Sequence, residues 1–271
     1  MNLSPQQISQ FQQEILKWYK AHQRDLPWRR DRDAYHILIS EVMLQQTQVG
    51  RVIPKYEAWL GRFPTIESLS QASVAEVLTY WSGLGYNRRA VFLQRFAKEV
   101  VEKYGGEIPQ DKKTLKSLPG IGEYTALAIL CFAYNHQVAV IDTNIRKVIA
   151  THFFEGVLPE EKIIERVAFK LLPKNKAYEW NQALMDYSSA VLKEKKIPIP
   201  KQSHFLTSNR YVRGTIMKFL VHHQIATQED LEKEFAKGKV EVSLAKLQLN
   251  IDALCKEGMI IKKQKLFMLP Q

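Results

Sequence analysis

Two carboxylates stand out by the company they keep. Glu41 sits inside the run Ile37-Leu38-Ile39-Ser40-Glu41-Val42-Met43-Leu44, and Asp142 ends the apolar segment Val138-Ala139-Val140-Ile141. An ionised acid is expensive to bury without a partner. Glu41 therefore lies on a wet helix face or pairs with a basic residue, or it is an acid whose apolar surround lets it hold a proton near neutral pH. Asp142 also has two readings: it or Thr143 is the N-cap of a following helix, or it is a negative charge placed where positive charge develops. Between them in the chain lies Leu118-Pro119-Gly120-Ile121-Gly122-Glu123-Tyr124-Thr125. The two glycines predict a tight corner that a residue with a Cβ would not enter freely. The apolar run behind the corner predicts a helix, whose first free N–H groups attract an anion such as a phosphate.

These residues need elements to hold them, and the periodicity supplies mostly helices. Ile8, Phe11, Ile15 and Trp18 recur at three-to-four spacing, giving an amphipathic helix over 4–22 with Ser4-Pro5 as cap and first turn. Asp33 can cap the helix that carries Glu41. Further helices are expected over 49–63, 66–81 with short breaks, 89–104, 113–118, the run after Tyr124, 144–154, 162–172 and 177–192. Gln45, Gln46 and Thr47 follow the Glu41 helix; such amides are solvated surface or base-edge hydrogen-bonding groups. Gly83-Leu84-Gly85-Tyr86, followed by Asn87-Arg88-Arg89, is a turn with a packed tyrosine, or a tyrosine able to wedge into stacked bases with arginines near phosphates. The charged, proline-containing stretch 193–202 resembles a linker. After it the pattern predicts helices over 210–221, 228–235 and 243–257, then two short strands, Met259–Lys263 and Lys265–Leu269.

The chain has 271 residues, 45% of them hydrophobic, and a net charge of +11. That balance points to a polyanionic partner, most often nucleic acid, against the plainer reading of an inert basic surface. Both ends share it, since Arg210 onward carries net +4 and the rest +7. The two cysteines, Cys131 and Cys255, fall in apolar helical patterns and suggest core positions in a reducing compartment. No Cys/His spacing suggests zinc. With no apolar signal core or spanning run, a soluble cytoplasmic protein is expected.

Taken together, Leu26-Pro27-Trp28-Arg29, the stretch from Ser40 to Val49, Gly83-Leu84-Gly85-Tyr86, Leu118–Gly122 and Asp142-Thr143-Asn144 resemble the helix-hairpin-helix (HhH-GPD) DNA glycosylases, and within them the MutY-type adenine glycosylases. The resemblance covers about residues 4–190. It implies an all-α catalytic core over 1–200, with two helical subdomains and a helix-hairpin-helix motif. One subdomain would be a six-helix barrel over about 30–137; the other would combine 1–29 with 138–200. A small winged-helix-like α+β domain over 205–271 would follow.

The resemblance also implies roles. Glu41 matches the acid that protonates the departing base and later activates water, and Asp142 the carboxylate that stabilises the cationic sugar. Tyr124 stands where bifunctional relatives carry a lysine, which implies a monofunctional enzyme, and Asn144 matches a residue that orients the acid. The implied DNA contacts are Arg29, Gln45, Gln46, Thr47, Tyr86, Arg88, Leu118, Gly120, Gly122 and Thr125. Of these, Tyr86 matches a wedge, and the Leu118–Gly122 backbone a phosphate anchor that in relatives also holds a monovalent cation.

The implied substrate is double-stranded DNA with adenine mispaired with guanine or 8-oxoguanine, and the protein is expected to act as a monomer. The alternatives are a thymine or uracil glycosylase acting opposite guanine, or a non-catalytic DNA-binding or lesion-sensing protein. In two respects the sequence departs from the family. It lacks the four cysteines that usually hold a four-iron cluster, so no iron–sulfur cluster is expected. Residues 205–271 are also too short and wrongly patterned for the Nudix-like domain that usually recognises 8-oxoguanine.

Overall fold

A computed structural model describes residues 3–195, 204–238, 240 and 242–271. Its helices are α1 (Pro5–His22), α2 (Ala34–Leu44), α3 (Val49–Arg62), α4 (Ile66–Gln71), α5 (Val74–Trp81), α6 (Arg88–Tyr104), α7 (Lys112–Ser117), α8 (Glu123–Phe132), α9 (Thr143–Phe153), α10 (Glu161–Leu171), α11 (Ala177–Ala190), α12 (Asn209–His223), α13 (Gln228–Ala236) and α14 (Leu244–Lys256). The strands are β1 (Ile225–Thr227), β2 (Ile261–Lys263) and β3 (Leu266–Met268). Contacts divide the chain into two units. The first comprises Met1–Glu41, Ile108–Ser117 and Ile121–Pro200; the second comprises Val42–Glu107, Leu118–Gly120 and Lys201–Gln271. The expected linker falls mostly on 196–203, outside the described residues. No helix among the described residues is long and apolar enough to cross a membrane.

In the first unit, α1 starts at a capping box between Ser4 and Gln7, which satisfies N–H groups that a helix start leaves free. Its apolar stripe, Phe11, Ile15 and Tyr19, packs with Ile145 and Val148 of α9, Ile164 and Val167 of α10, and Trp180 and Leu184 of α11. A second cluster joins Ile37 of α2, Ala128, Cys131 and Phe132 of α8, Val140 and Ala177. Asn181 fastens the segment that leads to Asp142. Its side-chain oxygen accepts from Val140 N–H at 2.8 Å, and its amide nitrogen donates to Val138 O at 3.1 Å and Ala177 O at 2.8 Å.

In the second unit, Trp59, Phe63 and Trp81 meet edge to face, with ring centroids 5.0 and 5.6 Å apart, an arrangement aromatic quadrupoles favour. Here α12, α13 and α14 close over Val212, Ile216, Leu231, Leu247 and Ile251, all buried. The antiparallel sheet has the order β1-β3-β2, with Met268 of β3 opposite Ile225 on one side and Ile261 on the other. The two C-terminal strands fall within their expected spans, whereas β1 was not expected. A three-residue strand is too short to carry an alternation.

Candidate active site

Glu41 is buried, with 7% of its surface exposed. Its Oε2 accepts a hydrogen bond from the Tyr124 hydroxyl at 2.8 Å. Among the described residues it forms no ion pair, so neither the wet-face nor the paired alternative holds. Burial raises its carboxyl to about 7; the Tyr124 hydrogen bond opposes this, the charge of Asp142 adds to it, and Arg29 opposes it. Tyr124, on the first turn of α8, is itself pushed well above the ordinary phenol range by burial and by Glu41 and Asp142, so it remains a donor.

Asp142 does cap a helix. Its Oδ1 accepts from Ile145 N–H at 2.8 Å at the start of α9, and its Oδ2 accepts from Asn144 Nδ2 at 2.7 Å. The cap fixes the orientation of the carboxylate without neutralising it. Burial raises the Asp142 carboxyl, and the hydrogen bonds from Ile145 and Asn144 hold back part of the rise. The first unit thus brings together the four residues expected to do chemistry: Glu41 with Tyr124, Asp142 with Asn144, and the two acids within electrostatic reach of each other.

Arg29 departs from expectation. Its guanidinium donates to both carboxylate oxygens of Asp186 at 2.8 Å, and its side chain is 9% exposed. A cation so enclosed is part of the scaffold rather than a DNA contact. Thr125 and Leu118 have buried side chains, so the Thr125 hydroxyl is not presented to a ligand. The glycine corner is also only half as demanding as expected. Gly120 has φ +78, and a Cβ there would lie 2.7 Å from Phe92 Cβ, whereas Gly122 is the N-cap of α8 at φ −91 with open space around it. Only Gly120 requires glycine. At the start of α8, Glu123 is held by Lys112 and Lys116.

In the second unit, Gln45, Gln46 and Thr47 form the turn between α2 and α3, with exposed Gln46 at φ +57. Tyr86 follows Gly83 and Gly85 at φ +48 and is 40% exposed. Arg88 is exposed beside the ring of Phe92. Arg89, expected near phosphates, instead donates to the carbonyls of Val42, Met43, Gln45, Leu84 and Gly85 at 2.5–3.4 Å. It ties the end of α2 to the Tyr86 corner. Burial lowers its pKa to about 10. Nothing in the spacing of 42–45 and 84–89 announces this clamp, because backbone acceptors leave no trace in side-chain identity.

Helices on either side of a glycine hairpin, and an acid pair sharing one unit, define a class. The profile of the HhH-GPD superfamily of base excision DNA repair proteins matches residues 39–174, just over half of the chain, and the chain belongs to that superfamily. Within it, the chain is 44% identical over 181 residues to an adenine DNA glycosylase of Mycolicibacterium smegmatis, a match covering 66% of this chain and 62% of that one. It is 38% identical over 198 residues to the human adenine DNA glycosylase, covering 68% of this chain and 36% of that one. It therefore spans less than two thirds of these relatives' length. Among solved structures, a thermostable thymine-DNA glycosylase superposes with a TM-score of 0.62 at 32% identity, covering 68% of this chain and 86% of that one. A non-covalent endonuclease III–DNA complex gives a TM-score of 0.62 at 20% identity, covering 74% of this chain and 94% of that one, a likeness of fold.

Proposed function

We propose that the protein is a monofunctional DNA glycosylase that removes adenine mispaired with guanine or 8-oxoguanine. The observation that carries this is Glu41, buried with no ion pair among the described residues, hydrogen-bonded to Tyr124 and raised to about 7 by its surroundings. Adenine is a poor leaving group until a ring nitrogen is protonated, and an acid with a pKa near the working pH donates effectively. Tyr124 occupies Oε2, so the proton is assigned to Oε1. As the N-glycosidic bond breaks, its electron pair leaves with the protonated base and the sugar becomes an oxocarbenium-like cation. Asp142, oriented by Ile145 N–H and Asn144, stabilises that charge. Water then adds to the anomeric carbon and gives its proton to the Glu41 carboxylate, which restores the acid. This is the division of labour of two carboxylates in glycoside hydrolysis.

A base in a duplex must leave the stack to meet these groups. Tyr86 is the wedge in this reading, Gln46 and Thr47 probe the vacated position, and N–H groups at the start of α8 hold a phosphate. A lyase step needs an amine to form a Schiff base, and Tyr124 has none. The reading contains no iron–sulfur cluster. The chain has two cysteines where a four-cysteine ligand set needs four. One of them, Cys131, is buried and pushed up to about 12, away from the thiolate that binds metal. Among the described residues no group of three or more His, Cys, Asp or Glu could hold a metal.

The similarity to a thymine-DNA glycosylase favours a second reading, excision of thymine opposite guanine. Duplexes carrying A:G, A:8-oxoguanine, T:G and U:G pairs separate the two. Alkali-labile sites at the adenines, with no borohydride-trapped adduct, are expected. Cleavage confined to T:G and U:G would replace the adenine reading with the thymine one.

A further inference from the structure

Tyr86 is held from two sides, and one of them is the C-terminal part of the chain. Arg210, the second residue of α12, donates from Nη1 to the Tyr86 hydroxyl at 2.9 Å across 124 residues of sequence. At the other end of the side chain, Arg89 lies 5.6 Å from the ring centroid and donates to Gly85 O. Further bonds set where α12 lies within the second unit. Ala75 N–H, at the start of α5, donates to Pro270 O at 2.9 Å, and Arg95 of α6 donates to Glu257 O at 2.9 Å. The Glu257 carboxylate in turn pairs with Arg213, one turn beyond Arg210 on α12. Tyr86 adopts φ +48, a region a bulky residue occupies only when its surroundings enforce it.

The net charge of +4 from Arg210 onward is unevenly spread. Helix α13 carries four acids and one lysine, and α14 exposes Leu244 and Leu249. We propose that residues 204–271 serve as a brace for Tyr86, with Arg210 as the positioning residue that presents the ring for entry into the base stack. Fixing the ring in advance reduces the ordering cost of insertion. The proposal rests on the reading of Tyr86 as a wedge.

The test is a mutant cycle in the full chain on an A:G duplex with 2-aminopurine beside the target adenine. It reads the fluorescence rise on binding and the single-turnover excision rate. Tyr86→Phe keeps the ring and loses the hydroxyl; Arg210→Ala loses the donor. Each is expected to lower the rate and the fluorescence rise by roughly three- to tenfold. The double variant should be no worse than either single one, and Arg210→Lys should recover part of the loss.

If Arg210→Ala matches the wild type, or its effect multiplies with that of Tyr86→Phe, the brace is wrong. If Tyr86→Ala itself leaves the fluorescence and rate intact, the wedge reading fails instead. A melting curve checks the fold of Arg210→Ala, and Tyr86→Phe removes the same bond from the other side without disturbing α12.

Discussion

The first unit buries two kinds of carboxylate, and they behave in opposite ways. Asp186 is 1% exposed and surrounded by cations: Arg29 binds both its oxygens, and Arg24 adds its side chain and its backbone N–H. Burial pushes Asp186 up, but Arg29 and Arg24 more than reverse it, and its pKa falls below the ordinary value. Glu41 is also buried, and there burial wins: it raises the carboxyl to about 7, Asp142 adds to the rise, and the Tyr124 hydrogen bond and the charge of Arg29 offset only part of it. The difference shows that burial alone does not make a catalytic acid; the charge of the partners decides. A carboxylate locked between guanidiniums can only hold structure together. One with no ion pair among the described residues, such as Glu41, can exchange a proton near pH 7.

Glu41→Gln separates the two carboxylates most strongly. Excision should fall by about three orders of magnitude, the scale of general acid catalysis, while DNA affinity, which rests on phosphate contacts, stays within a few-fold. Single-turnover rates and a binding titration read the two separately. Asp186→Asn should do the reverse. It leaves Arg29 buried without its counter-charge, so stability should drop by about 3–5 kcal/mol, seen as a lower denaturation midpoint, with the rate per folded molecule largely kept.

The pH dependence of stability should carry opposite signs. Glu41 has a folded pKa raised from 4.5 to about 7. The native state therefore holds the extra proton between those values, and stability falls by about 3 kcal/mol as pH rises across them. Asp186, lowered from 3.8, contributes stability that is present above that pH and lost as pH falls through its folded value. Denaturant midpoints across pH should show the Glu41 slope vanish in Glu41→Gln and the acid-side loss vanish in Asp186→Asn. A smaller effect is expected of Asn144→Ala, which frees Asp142 Oδ2 and should slow excision by about tenfold with little change in melting.

How much of this was legible in the sequence follows from the range of each interaction. The helices, the Ser4 and Asp142 caps, and the paired strands after Gly258 depend on neighbours within a few residues, and spacing revealed them. Glu41 and Asp142 were legible because an acid in an apolar run is itself anomalous. The Arg29–Asp186 pair joins residues 157 positions apart, and the Arg89 clamp uses backbone carbonyls. Neither has a local signature: the family resemblance points Arg29 at DNA, the glycine corner points Arg89 at phosphates, and the partners that hold them lie elsewhere in the chain. Asn181, which fastens the approach to Asp142, has no signature either, because one amide in an apolar helix resembles a core exception. Gly122 and Gly120 are indistinguishable in sequence, although only Gly120 takes a left-handed backbone.

A Glu41 that gives a proton to the departing base must hold one at the working pH, the state favoured by surroundings that raise it to about 7. The most direct measurement is the single-turnover rate of adenine excision from an A:G duplex between pH 5 and 9, for the wild type and for Glu41→Gln. A raised Glu41 pKa predicts a wild-type rate that declines tenfold per pH unit above about 7, and a residual Glu41→Gln rate that is low and flat. A wild-type rate level across that range, or a Glu41→Gln protein with the wild-type rate at pH 7, would contradict it.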